Sequence, residues 1–486
     1  MDATFPLVRL ADVAAVVGGE VRGDPRTLVS DAAYDARNVP SGSLFFCLRG
    51  EHADGHAFAG LAVAAGAAAL VVEHPLEVEA PQIMVRSARE AIGPMSAALF
   101  GRPAEALTVV GITGTNGKTT STYLLESVFD VAGWTPGVIG TTGLRVGGVA
   151  EPLVRTTPEA PDLHRSLAVM ATAGVRAVAM EISSHALAYH RTDGLTVDAA
   201  LFTNLSQDHL DLHRSMEAYF EAKRRLFSAS LARRAVVNAD DPWGRRLLTD
   251  PEIATTSFAV DADADLRATD VEVGHDGIGF RVDEMVVRSA LRGRFNVDNC
   301  LGVVAVSRAL GIEDAAIAGG IAALDAVPGR MEPVDVGQGF MVVVDYAHTP
   351  DSIHSVLRGA RPLADGRVIV VFGCGGDRDR AKRPSMGRAA SDGADLVVVT
   401  SDNPRSEDPQ TIIDEIVTGI PDGTFTLVEP DRRAAIRMAI EAADDGDVVV
   451  IAGKGHETTQ EIGDDLIAFD DRAVAREALE ARLGSR

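Results

Sequence analysis

Residues 107–112 (LTVVGI) read as a buried strand. They run straight into the glycine-rich turn Gly114-Thr115-Asn116-Gly117-Lys118-Thr119-Thr120, after which a helical stretch begins. Few folds accommodate that order. Glycines let successive backbone N–H groups converge on phosphate oxygens, and the N-terminus of the following helix adds favourable potential for an anion. Lys118 is placed to reach the β- and γ-phosphates, and the Thr119 hydroxyl to ligate magnesium. Ile112 stands where the standard phosphate loop has its first glycine, so the motif is a variant, GTNGKT, closed by Gly114. The bland alternative is a glycine-rich turn with an incidental lysine. Strand, glycines, Lys-Thr and helix together favour a nucleoside triphosphate.

The chain has 486 residues, enough for about three domains at roughly 150 residues each. β-Branched runs alternate with alanine-rich helical stretches, the rhythm of α/β domains. Breaks at Gly101-Arg102-Pro103 and Val327-Pro328-Gly329-Arg330 give three blocks, 1–104, 105–330 and 331–486. A net charge of −24 argues against a nucleic-acid partner, which needs a basic face. Cys47, Cys300 and Cys374 are odd in number and widely spaced, so a disulfide scaffold or zinc site is disfavoured and a reducing compartment fits. Asp2 sits where a signal peptide carries basic residues, and the most apolar run, residues 60–72, falls short of the roughly 20 residues a bilayer needs. The expectation is a cytoplasmic protein without a membrane span.

In open parallel sheets ligands bind beyond the carboxyl ends of strands, so the loops there hold the candidates. Strands are expected at 43–48, 68–73, 177–182, 199–203, 340–344, 367–372, 396–400 and 447–452. Glu181 ends one of them and can hold magnesium beside the loop, although an ordinary strand-end acid is the alternative. His209 and His213 are spaced as a metal pair, but His-Leu-Asp-Leu-His is not HExxH; a single histidine near a magnesium–phosphate site is the better reading. Residues 215–227 read as a helix, on which Lys223, Arg224 and Arg225 look like a solvated basic face. GCGGDRD lacks the third glycine of a dinucleotide fingerprint, which disfavours NAD.

These motifs, in order, resemble the Mur ligases. The match runs through GITGTNGKTT (111–120), TTPEAPDL (156–163), MEISSHAL (180–187), FTNLSQDHLDLH (202–213) and YFEAKRRLF (219–227). It continues through VPGRME (327–332), VDYAHTPDS (344–352), VVFGCGGDRDRAKRP (370–384), TSDNPRSEDP (400–409) and IAGKGHE (451–457). The resemblance implies an α/β fold of three domains: an N-terminal uridine-nucleotide-binding domain, a central phosphate-loop ATPase domain with a parallel-rich sheet, and a Rossmann-like C-terminal domain. It implies an ATP-dependent amide ligase of peptidoglycan precursor synthesis, using ATP and Mg2+. The substrate's D-glutamyl γ-carboxylate is phosphorylated and the acyl phosphate is attacked by an amine.

Carried over by match, Gly114 to Thr120 hold ATP, with Lys118 on the terminal phosphates and Thr119 on magnesium. Glu181 and His209 serve a second metal position. Lys223 falls where the family carries a carbamylated lysine, which overturns the solvated-face reading. Asn296, Arg330, Asp345 and His348 match positions around the rest of ATP. Thr156, Thr157, Ser183, Tyr189 and Arg191, with Ala36, Glu51, His52 and Ala53 near the N-terminus, match positions for the UDP-N-acetylmuramoyl-L-alanyl-D-glutamate substrate. Arg378, Asp402, Asn403, Pro404, Arg405, Gly453 and Glu457 match positions for the added amino acid. The DNPR string marks users of meso-2,6-diaminopimelate. Its second carboxylate can pair with Arg405 through two parallel hydrogen bonds, which lysine cannot offer. Ala36 replaces the family's usual serine and Tyr189 a polar residue found in some members. Those departures admit a paralogue that adds another amino acid, such as L-lysine, or acts on a related carboxylate. A phosphate-loop switch or motor subunit is the reading from another class.

Overall fold

The computed structural model describes residues 5–50, 53–147 and 149–484. Three mixed or parallel sheets follow one another along the chain. The first has five strands in the order Glu20–Arg22, Gln82–Met84, Ala69–Val72, Ser43–Phe46, Asp31–Ala33, all parallel except the Glu20–Arg22 edge. The interior strands Ser43–Phe46 and Ala69–Val72 are buried at every position, which is why both read as continuous apolar runs rather than alternating ones. The helix Ala88–Leu99 packs them against the central region through the helix Ala160–Thr172. Ser87 opens it by accepting a hydrogen bond from Glu90 N at 3.2 Å.

The central sheet has nine strands. Its middle strand, Thr108–Thr113, lies between Ala177–Glu181 and Ala199–Phe202, parallel to both. Ile112 is in register with Glu181, and Thr113 with Phe202. That register puts the phosphate loop, Glu181 and the Thr203–His209 loop side by side at one end of the sheet, where parallel strands place their sites. Apolar clusters fill both faces. One is covered by Lys118–Val131, Phe295–Ala309 and a three-stranded antiparallel sheet at Thr269–Gly274, Gly277–Val282 and Met285–Ser289. The other lies under Ala160–Thr172 and Met216–Arg224.

The last sheet has six strands in the order Glu332–Pro333, Met341–Asp345, Val448–Ala452, Val368–Phe372, Leu396–Val399, Thr426–Val428, parallel apart from the first. The expected strands and the 215–227 helix are present with ends shifted by one or two residues; the helix is Met216–Arg224, continued by a 3-10 turn, Arg225–Phe227. Cys47, Cys300 and Cys374 are buried and free. Among the described residues no helix is long and apolar enough to cross a membrane.

His164, on the helix Ala160–Thr172, is 1% exposed, and burial pushes its pKa down to about 4 against an ordinary 6.5. The unfolded chain therefore takes up a proton below about pH 6.5 that the folded chain refuses until about pH 4. The His164 contribution to stability is complete above that window and falls as the pH falls through it, by about 3 kcal/mol in all. Denaturant titrations at pH 7.5 and 5 are expected to show about 2 kcal/mol of this loss, since pH 5 lies inside the window, and His164→Phe to show a smaller one. An unchanged slope would refute the assignment.

Candidate active site

The strand Thr108–Thr113 ends in a loop that the next strand locks. Gly114 has φ 149° and Gly117 φ 88°, and a Cβ on Gly114 would sit 1.9 Å from Thr203 Oγ1. Only glycine fits there. Thr115 N donates to Asn204 O at 2.9 Å, Asn116 N to Asn204 Oδ1 at 2.9 Å, and Thr203 Oγ1 to Asn116 O at 2.6 Å. Lys118 Nζ curls back onto the Gly114 and Thr115 carbonyls, each at 2.9 Å, and burial draws its pKa down.

Lys223 reaches the same loop from the other side. Its Nζ donates to Gly114 O at 2.9 Å and lies 4.7 Å from the Tyr219 ring centre. It is 1% exposed and forms no ion pair among the described residues; burial, reinforced by Lys118, holds it well below the ordinary lysine pKa. The solvated-face reading therefore fails for Lys223, which lies on the helix face turned to the sheet, while Arg224 stays exposed. Glu181 is 1% exposed and accepts from Thr141 N at 2.9 Å and Thr141 Oγ1 at 3.0 Å. His209, at φ 53°, pairs with Asp208 at 3.3 Å, while burial pushes its pKa down to about 4. His213 points elsewhere, to Ser184 Oγ at 2.9 Å, so the two histidines do not act as a metal pair. Among the described residues no group of three or more His, Cys, Asp or Glu converges on one point. Thr119 and Glu181 nonetheless bring oxygen donors to one cleft, the chemistry magnesium takes when phosphates and water complete its shell.

That cleft has a volume of about 680 Å³ and is lined on one side by Asp345, the loop after it and the helix Pro350–Ala360. Arg330 Nη2 donates to Thr119 Oγ1 at 3.1 Å, its guanidinium lying 4.7 Å from the Tyr346 ring centre. Asp345 accepts from Met331 N and Ala347 N, each at 2.8 Å, and burial raises its pKa. His348, whose pKa burial lowers, bonds Tyr346 O through Nδ1 at 2.8 Å. Asn296 is not among the lining residues: its Nδ2 donates to Arg292 O at 2.6 Å and its Oδ1 accepts from Asn299 Nδ2 at 2.8 Å. Asn299, one helical turn on, lines the cleft against Gly117.

Thr156 and Ser183 also line the cleft, with Thr156 Oγ1 3.1 Å from Thr141 Oγ1. Thr157 bridges Glu181 O and Ser183 N at 2.9 and 3.0 Å. Arg191 is occupied by Glu159 at 2.8 Å, which also takes Arg89 from the N-terminal region at 2.7 Å. Tyr189 is 37% exposed and lies, with Ala36 and Ala53, away from the cleft. Glu51 and His52 fall outside the described residues.

A separate group forms beyond the strand Leu396–Val399. Asn403 Nδ2 donates to Glu457 Oε2 and Lys454 Nζ to both Asn403 Oδ1 and Glu457 Oε2, all at 2.9 Å. A Cβ on Gly453 would meet Asp402 Oδ2 at 2.4 Å. Arg405, following Pro404, has φ 52° and donates through Nη1 to Gly376 O at 2.9 Å; Arg378 is exposed and bonds Asp377 O at 3.1 Å. Thr141, Asn204, Asn299 and Lys454 were not singled out from sequence. Asn204 and Lys454 lie within quoted motifs and Asn299 three residues after Asn296, whereas Thr141 carries no local signal, its partner Glu181 lying 40 residues away.

Fold and cleft together define an α/β nucleotide-binding protein built on a phosphate loop, with residues 345–359 of the C-terminal region lining the same cleft. Three family models match in sequence: Mur ligase family, catalytic domain over 31–99; Mur ligase middle domain over 112–307; and Mur ligase, glutamate ligase domain over 329–455. The chain is 47% identical to a UDP-N-acetylmuramoyl-L-alanyl-D-glutamate–2,6-diaminopimelate ligase of Geobacillus thermodenitrificans, over 92% of this chain and 94% of that one. It is equally similar, at 47%, to the ligase of the same name from Thermosynechococcus vestitus, over 98% of each. A solved structure of a ligase of that name matches with a TM-score of 0.71 at 33% identity, over 98% of this chain and 100% of the other. The MurF ligase of Thermotoga maritima in complex with ADP, 18% identical, shares the fold at a TM-score of 0.62 over 94% of this chain and 97% of that one. The chain belongs to the Mur ligase family.

Proposed function

We propose that this protein joins meso-2,6-diaminopimelate to the D-glutamyl γ-carboxylate of UDP-N-acetylmuramoyl-L-alanyl-D-glutamate, at the expense of ATP, in the cytoplasmic synthesis of peptidoglycan precursors. The observation that carries the reading is the convergence of Lys118 and Lys223 on the Gly114 carbonyl, in a cleft that Glu181, Ser183 and Thr156 also line. A triphosphate tail and a substrate carboxylate meet in one place there. In this reading block 1–104 takes the uridine nucleotide with Ala36, Glu51, His52 and Ala53. Block 105–330 takes ATP and the muramyl dipeptide, the latter with Thr156, Thr157, Ser183, Tyr189 and Arg191. Block 331–486 takes the amino acid and closes over ATP through Asp345 and His348, with Arg330 at the end of the preceding block beside them.

A carboxylate is a poor electrophile, so it is activated first. Its oxygen attacks the γ-phosphorus, the bond to the bridging oxygen breaks, and ADP leaves. Lys118 stabilises charge on the transferring group, at a site where burial makes that charge count for more than in water. The diaminopimelate nitrogen then attacks the acyl carbon, and the tetrahedral intermediate expels phosphate with the C–O pair. Thr119 and Glu181 would hold magnesium, with His209 beside them and Lys223 contributing as a carbamate. The metal neutralises phosphate charge when bound. Lys223 suits carbamylation because its low pKa favours the neutral amine, the form that adds carbon dioxide.

Purified protein is expected to release phosphate from ATP only when the UDP-muramyl dipeptide and diaminopimelate are both supplied. Hydroxylamine added with dipeptide and ATP alone should yield the hydroxamate of the γ-carboxyl. Phosphate release independent of both substrates, without hydroxamate, would leave a nucleotide switch instead.

A further inference from the structure

Arg405 is gripped by a hairpin to which nothing above gives a role. The strands Thr459–Ile462 and Asp465–Ala468 pair antiparallel, and the first reaches over residues 402–405. Gln460 Nε2 donates to Asp402 O at 2.6 Å, and Glu461 N to Asn403 Oδ1 at 3.1 Å. Arg405 N donates to Glu461 O at 3.1 Å, and Gly463 N to Arg405 O at 2.7 Å. These bonds hold the Arg405 backbone at φ 52°, a conformation a non-glycine residue adopts only under constraint. The side chain is held as well. Glu461 Oε2 lies 2.6 Å from Arg405 Nε, and Nη1 donates to Gly376 O at 2.9 Å.

A guanidinium carries five N–H groups in a rigid plane. Contacts at Nε and at one Nη1 hydrogen fix that plane and leave Nη hydrogens for another acceptor. A carboxylate takes two parallel N–H groups when the fork is already oriented. Arg405 otherwise has several freely rotating torsions, and ordering them on binding costs affinity. Glu461 is 44% exposed where Arg405 is 22% exposed, so the acid stands at the rim and the guanidinium further in.

We infer that Glu461 is a positioning residue for amino-acid selection, holding Arg405 by Nε so that its Nη edge meets the distal carboxylate of the incoming diamino acid. This rests on the ligase reading above. It also sets the direction of the effect. A carboxylate that merely occupied the fork would compete with substrate, and its removal would improve binding; a positioning carboxylate makes binding worse when removed.

The test compares Glu461→Ala and Glu461→Gln with the unmodified full-length protein, measuring KM for diaminopimelate and KM for ATP separately. Glu461→Ala is expected to raise KM for diaminopimelate by about tenfold or more, with KM for ATP unchanged. Glu461→Gln should recover most of the loss, since its amide oxygen still accepts from Nε. A KM for diaminopimelate that stays level or falls in Glu461→Ala overturns the inference. So does a parallel rise in both KM values with a lowered melting temperature that Gln fails to restore, which would make Glu461 a brace for the hairpin alone. If the unmodified protein shows no diaminopimelate-dependent turnover, the ligase reading and this inference fall together.

Discussion

Alanine at Lys118 is expected to lower substrate-dependent phosphate release by about three orders of magnitude, at the upper end of what loss of one preorganised charge-stabilising group costs. The reason lies in the surroundings of the ammonium. Among the described residues Lys118 Nζ is bonded only to the carbonyls of Gly114 and Thr115, and burial already lowers its pKa. A cation so poorly solvated gains more from an arriving phosphate than an exposed lysine would, because the same charges interact more strongly where water is excluded. The fold loses little when it goes: Gly114 O keeps its bond from Lys223, and the Thr115 backbone keeps its bond to Asn204. The variant should therefore melt within a few degrees of the unmodified protein. A lowered lysine pKa also predicts that activity falls away at a less alkaline pH than an ordinary lysine would allow. A variant retaining a tenth of the turnover would show that this loop does not cradle the transferring phosphate.

The phosphate loop was legible because its chemistry is local: strand, glycines, lysine and helix follow one another within a dozen residues. The buried strands were legible for the same reason, since Ala177–Glu181 and Val448–Ala452 are apolar at nearly every position. What the sequence could not convey was direction. Arg224 and Arg225 beside Lys223 look alike on a line of text, yet Lys223 is 1% exposed and Arg224 remains exposed, because successive helix residues are turned about 100° from one another. Asn296 and Asn299 share one helix face, and only the packing of that helix decides that Asn296 serves Arg292 while Asn299 meets the cleft. Short edge strands, the antiparallel sheet of residues 269–289 and the hairpin of residues 459–468 were not anticipated. Their exposed faces carry mixed polar and apolar residues, as the pattern of Met285–Ser289 shows by alternating buried and exposed positions. The contact of Arg330 with Thr119 spans 211 residues, and no periodicity encodes it.

Loss of the Arg405 guanidinium is expected to abolish discrimination between diaminopimelate and L-lysine. The two substrates differ at one carbon, which carries a carboxylate in the first and hydrogen in the second. A buried site built to hydrogen-bond a polar group can reject the analogue lacking it by about 10⁴-fold, because its own donors are then left unpaired. The unmodified protein should therefore show kcat/KM for diaminopimelate higher than for lysine by about that factor, and Arg405→Ala should bring the two within about tenfold of each other. The convergence should come almost entirely from diaminopimelate, whose kcat/KM falls, while KM for ATP holds, since Arg405 lies outside the lining of the nucleotide cleft. Two substitutions keep the result interpretable. Alanine at φ 52° adds backbone strain, whereas asparagine tolerates that region better, so agreement between Arg405→Ala and Arg405→Asn removes strain as the cause. Arg405→Lys keeps the charge but not the fork, and should fail nearly as badly. If lysine and diaminopimelate are already used equally by the unmodified protein, Arg405 reads something other than the second carboxylate, and its ion pair with Glu461 would be structural.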